Sequence, residues 1–183
     1  TYTDQAKLVL DLDKTEIRRN SEWFDKMDFT ELLQLASRMT VAQMVERDTF
    51  QKRMEASEPI GIHEFLYPLM QGWDSVQVKS DVELGGSDQL FNNLVGRTLQ
   101  SQVGQKPQVV FTGPLINGLD GRKMSKSYGN SVGLSDPAND MFGKLMSLDD
   151  ESMEEWFRLL TCLSREERVA VLAGHPREAK ARL

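Results

Sequence analysis

Two lysines, Lys123 and Lys126, lie three residues apart in residues 117–130, which read Asn-Gly-Leu-Asp-Gly-Arg-Lys-Met-Ser-Lys-Ser-Tyr-Gly-Asn. Glycines at this density predict a loop rather than a helix or strand. Two ammonium groups with the hydroxyls of Ser125 and Ser127 beside them suit one task, closing over a phosphate chain whose negative charge grows during a reaction. A solvated basic turn is the alternative, and Lys-x-Ser-Lys by itself does not exclude it.

A second set of polar residues follows helical spacing. Tyr67, Gln71 and Asp74 stand at positions i, i+4 and i+7, so a helix would place them on one face. That face is either the solvated side of the helix or a covered surface. If it is covered, each polar group needs a partner, because an unpaired group costs roughly 1–3 kcal/mol. A ligand that carries an ammonium and a hydroxyl would supply those partners.

A third segment, Gly-Gly-Ser-Asp-Gln at residues 85–89, joins a predicted strand to a predicted helix. In open α/β sheets, ligands bind at the carboxyl ends of strands, and paired glycines let the backbone approach a ligand closely. Ser87 or Asp88 could cap the helix. An ordinary tight turn is the alternative, since the segment is neither a Gly-x-Gly-x-x-Gly nor a Walker sequence.

The elements that must position these residues follow from periodicity and turn signals. Apolar spacing predicts helices from Asp28 to Ala56, with Thr40 as the N-cap of a second helix and Asp48 as the N-cap of a third. Pro68 marks either a kink or the first turn of the helix that carries the polar stripe. The further elements are a strand at 15–18, a helix at 62–75, a strand at 81–84, a helix from 90 to 103, a strand at 108–112, a helix after Asp136 and Pro137, and amphipathic helix over 148–183.

Composition narrows the class of protein. The 183 residues are 39% hydrophobic and 27% charged, with a net charge of −6. This acidity argues against a general nucleic-acid binder, but residues 96–130 hold five Lys/Arg and one Asp, a positive patch that suits a small polyanion such as a nucleotide. One cysteine, Cys162, and two distant histidines predict no disulfide and no protein-held metal. No apolar run reaches the roughly 18 residues of a membrane span and no signal peptide is recognised, so we expect a cytoplasmic location without membrane association.

The three segments, in this order and spacing, resemble the second half of the catalytic domain of the bacterial tyrosyl-tRNA synthetases, which are class I aminoacyl-tRNA synthetases. The resemblance runs over nearly the whole chain. The lysine segment indicates the class, and the stripe together with Gly-Gly-Ser-Asp-Gln indicates the tyrosine enzyme. It implies an α/β fold: part of a Rossmann-like parallel sheet with a helical insertion and the start of an α-helical domain.

For the amino acid, the resemblance implies that Tyr67 and Gln71 hold the ammonium and carboxylate end of tyrosine. Asp74 would accept the hydrogen bond of the substrate phenol, and Gln89 would contact the carboxyl region.

For the nucleotide, the resemblance implies that Gly86 and Asp88 contact the ribose of the adenylate. Lys123, Lys126 and Ser127 would steady the pyrophosphate during activation. The substrate carboxylate itself attacks the α-phosphate, so the protein supplies positioning and positive charge rather than a nucleophile.

The same resemblance implies a reaction, partners and an internal division. Tyrosine and ATP, the latter with Mg²⁺, would form tyrosyl-adenylate, and the tyrosyl group would pass to tRNA(Tyr) in a homodimeric parent enzyme. Residues 1–56 would be a connective helical insertion, 57–147 the second half of the catalytic domain, and 148–183 the start of the helical domain. The family's His-x-Gly-His-type ATP segment and its C-terminal RNA-binding domain have no counterpart here, so we expect a fragment that is weakly active or inactive alone. A tryptophanyl-tRNA synthetase and a non-catalytic derivative that binds RNA or a protein partner remain alternatives.

Overall fold

The computed structural model describes residues 2–183, apart from the side chains of Tyr2 and Lys126. The chain forms two compact units. One comprises Ile17–Pro114, and the other comprises the residues up to Glu16 together with Leu115–Leu183. Tyr67, Gln71, Asp74 and the glycine turn lie in the first unit, and the lysine segment lies in the second.

The unit Ile17–Pro114 combines short helices with a two-stranded sheet. Its elements are α2 (Ser21–Phe24), α3 (Phe29–Ala36), α4 (Val41–Met44), α5 (Asp48–Glu55), α6 (Ile62–Val78), β1 (Val82–Gly86), α7 (Leu90–Gln102) and β2 (Val109–Gly113). The cap predicted at Thr40 is confirmed, because its side chain accepts from the main-chain N–H of Gln43. Asp28 caps α3 in the same way. At the third helix Arg47 is the N-cap residue, so Asp48 is its first residue rather than its cap.

The long helix α6 positions the polar stripe. Its first turn is closed by Glu64, which accepts from Gly61 N–H at 2.8 Å and pairs with Arg53. It ends at Lys79, whose φ of 55° is left-handed. Pro68 is buried within the helix, so the prediction that it marks the first turn is wrong. The helix continues through Pro68 because the missing N–H removes only one hydrogen bond from a long helix that packing also stabilises.

The sheet has the predicted parallel form. β1 and β2 pair in register from Val82 opposite Val109 to Gly86 opposite Gly113, with α7 as the crossover between them. A parallel pair needs such a crossover, so the α/β prediction of a partial Rossmann-like sheet is confirmed. Alternate side chains of the two strands point outward, so Leu84 is 74% exposed and Phe111 is 64% exposed.

Helices α6 and α7 pack closely over a core of Leu69, Val76, Val95 and Leu99. Their approach depends on two glycines. A Cβ on Gly72 would lie 2.8 Å from Val95 Cγ1, and one on Gly96 would lie 2.5 Å from Ser75 Oγ. Larger residues would push the helices apart and displace the side chains of the stripe.

The other unit is mostly helical. Its core is formed by Leu148, Trp156 and Phe157, and the indole N–H of Trp156 donates to the main-chain oxygen of Asn117 at 3.2 Å, at the start of the lysine segment. Its helices are α1 (Tyr2–Ala6), α8 (Ala138–Met146), α9 (Met153–Leu160), α10 (Arg165–Leu172) and α11 (Pro176–Lys180). The helix predicted after Pro137 is confirmed, and the helical tail consists of three short helices.

The strand predicted at residues 15–18 is wrong. These residues follow a single turn of 3-10 helix, Leu12–Lys14, that Asp11 caps, and in the described part of the chain they pair with no strand. Alternation in a short segment cannot form a strand without a neighbouring strand to bond, because a strand's hydrogen bonds are all made to another segment.

Candidate active site

The polar stripe lies on α6 as its spacing predicted. Tyr67 is exposed, whereas Gln71 and Asp74 are partly buried, so the three residues do not share one environment. The difference arises because residues 17–24 and α7 contact α6 at Asp74 and Gln71, whereas Tyr67 stays exposed. Of the two interpretations of the stripe, the covered surface therefore applies to Gln71 and Asp74, and the solvated side applies to Tyr67.

Asp74 is held by a residue far away in the sequence. The indole N–H of Trp23 donates to Asp74 Oδ1 at 2.9 Å. Burial raises the pKa of Asp74 above its ordinary value, while hydrogen bonds from Trp23 and Asn20 act in the opposite direction. The carboxylate borders a cavity of about 500 Å³ that Arg19, Trp23 and Val78 also line. A partly desolvated carboxylate at a cavity is a strong acceptor for a ligand hydroxyl.

The glycine turn continues β1 directly. Gly85 and Gly86 close the strand, Ser87–Gln89 form one turn of 3-10 helix, and α7 begins at Leu90. Among the described residues neither Ser87 nor Asp88 caps this helix, so that prediction is wrong. The inserted turn moves both side chains away from the first N–H groups of α7. Asp88 is exposed and accepts from Gln89 Nε2 at 3.3 Å.

Gln71 is tied to the start of α7 by a row of amides. Gln71 Oε1 and the Asn92 amide lie 2.8 Å apart, and the Gln71 amide nitrogen lies 3.1 Å from the amide of Asn93. Asn92 also reaches Gln89 at 3.4 Å. Both asparagines are only 1% exposed. The row therefore brings Gln71 and Gln89, which the sequence placed in separate motifs, to a common point.

The row ends on a carboxylate that sequence reasoning missed. Glu83, in the middle of β1, accepts from Ser75 Oγ at 2.8 Å and from Gln108 Nε2. With its nitrogen toward the strand, Asn93 donates to Glu83 Oε1 at 3.0 Å and to the Gln89 carbonyl at 3.2 Å. Glu83 lies on the inward side of β1, and a carboxylate buried there must be paired. Its position in the strand could therefore have indicated this role.

The lysine segment forms a loop, as predicted, and Asn130 anchors it. The Asn130 side chain accepts from Ser125 N–H at 2.8 Å and donates to Asp120 Oδ1 at 2.8 Å and to the Lys123 carbonyl at 3.2 Å. It is only 4% exposed. Gly118 allows this approach, since an added Cβ would lie 2.2 Å from Asn130 Nδ2. In the sequence pattern Asn130 has no role beyond ending the segment.

The three cations of the loop are not equivalent. Arg122 donates to Asp120 Oδ2 at 2.7 Å and stands over the ring of Tyr128 at 5.0 Å, so part of the positive patch is neutralised locally. Asn130 and Arg122 together lower the pKa of Asp120 to about 2. Lys123 is exposed, and the side chain of Lys126 lies outside the described part of the chain.

Ser127 bonds to Ser125, with 2.7 Å between the two hydroxyls. This bond occupies the O–H of only one of the two hydroxyls, so the other can still donate to a ligand.

The predicted residues thus fall into groups. Gln71 and Gln89 are brought together through Asn92, with Asp88 bonded to Gln89, and Asp74 is paired with Trp23. Tyr67 and Gly86 lie on the same unit. Lys123, Lys126 and Ser127 belong to the other unit, and their convergence with the first group remains a prediction. Within the described residues, no His, Cys, Asp and Glu group could hold a metal, and no helix has the length and apolarity to span a bilayer.

Comparison with known proteins assigns a family to this arrangement. A family model described as tRNA synthetases class I (W and Y) matches residues 1–183. The chain belongs to this family. This confirms the class I resemblance, and the parallel sheet with α7 is the corresponding part of the fold.

The sequence relatives are more specific. Proteins named tyrosine–tRNA ligase from Idiomarina loihiensis and Oleidesulfovibrio alaskensis are 54% and 55% identical over the whole chain and are covered to 47% and 48% of their length. A third, from Thermotoga maritima, is 55% identical over 91% of the chain and is covered to 42%. The chain spans about half the length of the curated relatives it matches.

Solved structures show the same fold at low identity. The tyrosyl-tRNA synthetase of Aeropyrum pernix has a TM-score of 0.63 and 20% identity, with 81% of this chain and 51% of that chain covered. The tryptophanyl-tRNA synthetase of the same organism has a TM-score of 0.69 and 18% identity, with 95% and 53% covered. At this level of identity the likeness concerns the fold alone.

Proposed function

We propose that the chain is part of a tyrosine–tRNA ligase that activates tyrosine with ATP and transfers the tyrosyl group to tRNA(Tyr). The identity of 53–55% to proteins of that name supports the reaction class. The observation that carries the amino acid specificity is the partly buried Asp74 carboxylate, oriented by Trp23 beside a cavity.

Asp74 would accept the hydrogen bond of the tyrosine phenol. A ligand without the hydroxyl would fill the cavity but leave the carboxylate without that bond, which costs roughly 1–3 kcal/mol or about 5- to 150-fold in affinity. Phenylalanine would be rejected for this reason. The indole of tryptophan carries a donor at a different distance from its α-carbon, so the same carboxylate would not serve both substrates.

The ammonium and carboxylate end of the amino acid would lie nearer the N-terminus of α6 than Asp74 does. Tyr67 and Gln71 would hold its ammonium and carboxylate end, and Gln89 would contact the carboxyl region. The link from Gln71 through Asn92 to Gln89 supports this division, since both amides then border one point. Gly86 and Asp88 would contact the ribose, and the exposure of Asp88 leaves its carboxylate accessible to a ribose hydroxyl.

The lysine loop would act on the phosphates. Lys123, Lys126 and Ser127 would stabilise the charge that develops on pyrophosphate as the tyrosine carboxylate attacks the α-phosphorus. The Asn130 anchor supports this role, because it holds the base of the loop while Lys123 stays exposed. Mg²⁺ would arrive with the phosphates of ATP.

The wider assignments belong to the same proposal. Residues 57–147 would form the catalytic part between a helical insertion and the start of a helical domain, in a cytoplasmic enzyme. The parent would be a homodimer, and the 83% exposure of Ile62 at the start of α6 supports an apolar contact there.

Tyrosine binding tests the proposal. The chain should bind tyrosine more tightly than phenylalanine or tryptophan in titration calorimetry, and Asp74→Asn should reduce tyrosine affinity by about 5- to 150-fold while leaving phenylalanine nearly unchanged. Asp81→Asn, an exposed aspartate of the same unit, is the matched control and should change neither. Equal loss for both ligands in Asp74→Asn would refute the role of Asp74.

A further inference from the structure

Glu83 stands at the junction of two hydrogen-bond systems. Its Oε2 faces Ser75 and Gln108, which both donate to it. Its Oε1 lies 3.0 Å from the side-chain amide of Asn93, on α7. Glu83 belongs to none of the three motifs, yet its carboxylate lies within hydrogen-bond distance of the amide row that reaches Gln71.

The carboxylate decides which way Asn93 faces. A carboxylate only accepts hydrogen bonds, so the Asn93 group turned toward it must be the NH₂. That NH₂ also meets the main-chain oxygen of Gln89 at 3.2 Å. The opposite orientation would place the Asn93 oxygen against two acceptors, one of them charged, and would leave both without the donor they need.

The choice passes along the row. The same Asn93 nitrogen lies 3.1 Å from the near atom of the Gln71 amide. Both of its N–H groups already face Glu83 and the Gln89 carbonyl, and two NH₂ groups repel each other at this distance, so Gln71 must present its oxygen there. The Gln71 NH₂ consequently faces Asn92 at 2.8 Å, where Asn92 Oδ1 can accept it.

We propose that Glu83 is a positioning residue: through Asn93 it sets the direction of the Gln71 amide and thereby the atom that Gln71 offers to the amino acid. This rests on the proposed function of Gln71 as a tyrosine contact. A donor and an acceptor are not interchangeable toward a substrate that has an ammonium on one side and a carboxylate on the other. A fixed amide therefore binds one arrangement of those groups and rejects the other.

Glu83→Gln is the informative substitution because Gln108 decides how the new amide stands. Gln108 Nε2 also donates to the Asn93 carbonyl at 3.2 Å, and its oxygen accepts from Ser80 Oγ, so its own orientation is fixed. The oxygen of the new glutamine must face Gln108, and its NH₂ must face Asn93. Asn93 must then leave either this NH₂ or the Gln89 carbonyl without its complement, so the direction of the row is no longer fixed.

The first measurement concerns the row itself and needs no ligand. In the isotope-labelled chain, a coupling across the hydrogen bond between Asn93 Nδ2 and Glu83 Cδ should be observed by NMR. In Glu83→Gln this coupling should vanish and the side-chain amide signals of Gln71 and Asn93 should shift. Ser75→Ala is the matched control, because it removes a bond from Oε2 alone and should preserve the coupling. If the unsubstituted chain lacks the coupling, the proposal is wrong, whether or not the variant folds.

The second measurement is tyrosine affinity by calorimetry. Glu83→Gln should weaken tyrosine binding by about 5- to 150-fold, the fold-change of one mispaired hydrogen bond, and Ser75→Ala should leave it nearly unchanged. A chain that binds tyrosine and keeps its affinity after Glu83→Gln would overturn the positioning role alone. An unsubstituted chain that binds no tyrosine would overturn the proposed function and the positioning role together.

Discussion

Replacing Gly118 with alanine should dislodge the Asn130 side chain and loosen the lysine loop. Gly118 is buried against Asn130, and an added Cβ would lie 2.2 Å from Asn130 Nδ2 and 2.8 Å from its main-chain oxygen. Ordinary contacts begin at 3.4 Å, so the amide must retreat by about 1.2 Å. Both the side chain and the backbone of Asn130 block the new methyl group, so a rotamer change alone does not relieve the clash.

The size of the effect follows from the bonds that this retreat breaks. Asn130 is bonded at 2.8 Å to Ser125 N–H and at 2.8 Å to Asp120 Oδ1, and a retreat of about 1.2 Å stretches such bonds to as much as about 4 Å, beyond hydrogen-bond range. Overpacking costs roughly 1–3 kcal/mol, and a buried amide without partners costs roughly the same again. We expect Gly118→Ala to lower the free energy of unfolding of its unit by about 2–6 kcal/mol.

Urea unfolding followed by the indole N–H signal of Trp156 reports on this unit, because that group donates to Asn117 at the start of the loop. Hydrogen exchange of Ser125 N–H should accelerate in Gly118→Ala as its acceptor moves away. The matched control is Gly143→Ala in α8, where no described heavy atom lies within 4 Å of an added Cβ. It should stabilise the unit by up to about 1 kcal/mol, since alanine is the better helix residue. An unchanged unfolding midpoint in Gly118→Ala, with Ser125 still protected, would refute the assignment of Asn130 as the anchor.

Three further outcomes follow from the same contacts. Trp23→Phe removes the N–H bonded to Asp74 and should lower tyrosine affinity about tenfold or more in calorimetry, whereas Trp73→Phe, which leaves that bond intact, should not. Lys126→Ala should slow tyrosyl-adenylate formation, measured by ATP–pyrophosphate exchange, with tyrosine affinity nearly unchanged; a large loss of tyrosine binding would instead move this lysine to the amino acid pocket. The pKa of Asp120 is lowered from 3.8 to about 2, so its stabilising contribution is present above pH 3.8 and is lost as the pH falls toward 2. Asp120→Asn should therefore make the urea midpoint of this unit less dependent on pH over that range. An equally steep fall of the midpoint with decreasing pH in the variant would contradict the pairing.

Local signals were sufficient for most of the helices. Residue type alone predicts the cap at Thr40, because a capping side chain bonds to an N–H only three residues away. The stripe of α6 followed from helical spacing alone. The strand at residues 15–18 failed since strands depend on a neighbour, and the cap at Ser87 or Asp88 failed because an extra turn precedes α7.

Contacts between distant residues decided the character of the site. Trp23 and Asp74 are 51 positions apart, and neither Trp23 nor Asn20 showed any sign of function in the sequence. The charge of Arg122 counts toward the positive patch in the sequence, whereas in the structure it is paired with Asp120. Such pairings depend on which elements pack together, so residue type and spacing do not reveal them.

The order and spacing of Tyr67, Gln71 and Asp74, the glycine turn and the lysine segment were enough to identify the chemistry, because helical periodicity and glycine turns place those residues by local geometry. Only the tertiary structure showed that Glu83, Asn92 and Asn93 join two of these motifs. The direction of an amide depends on every donor and acceptor around it, and those neighbours are assembled by the packing of β1 against α6 and α7.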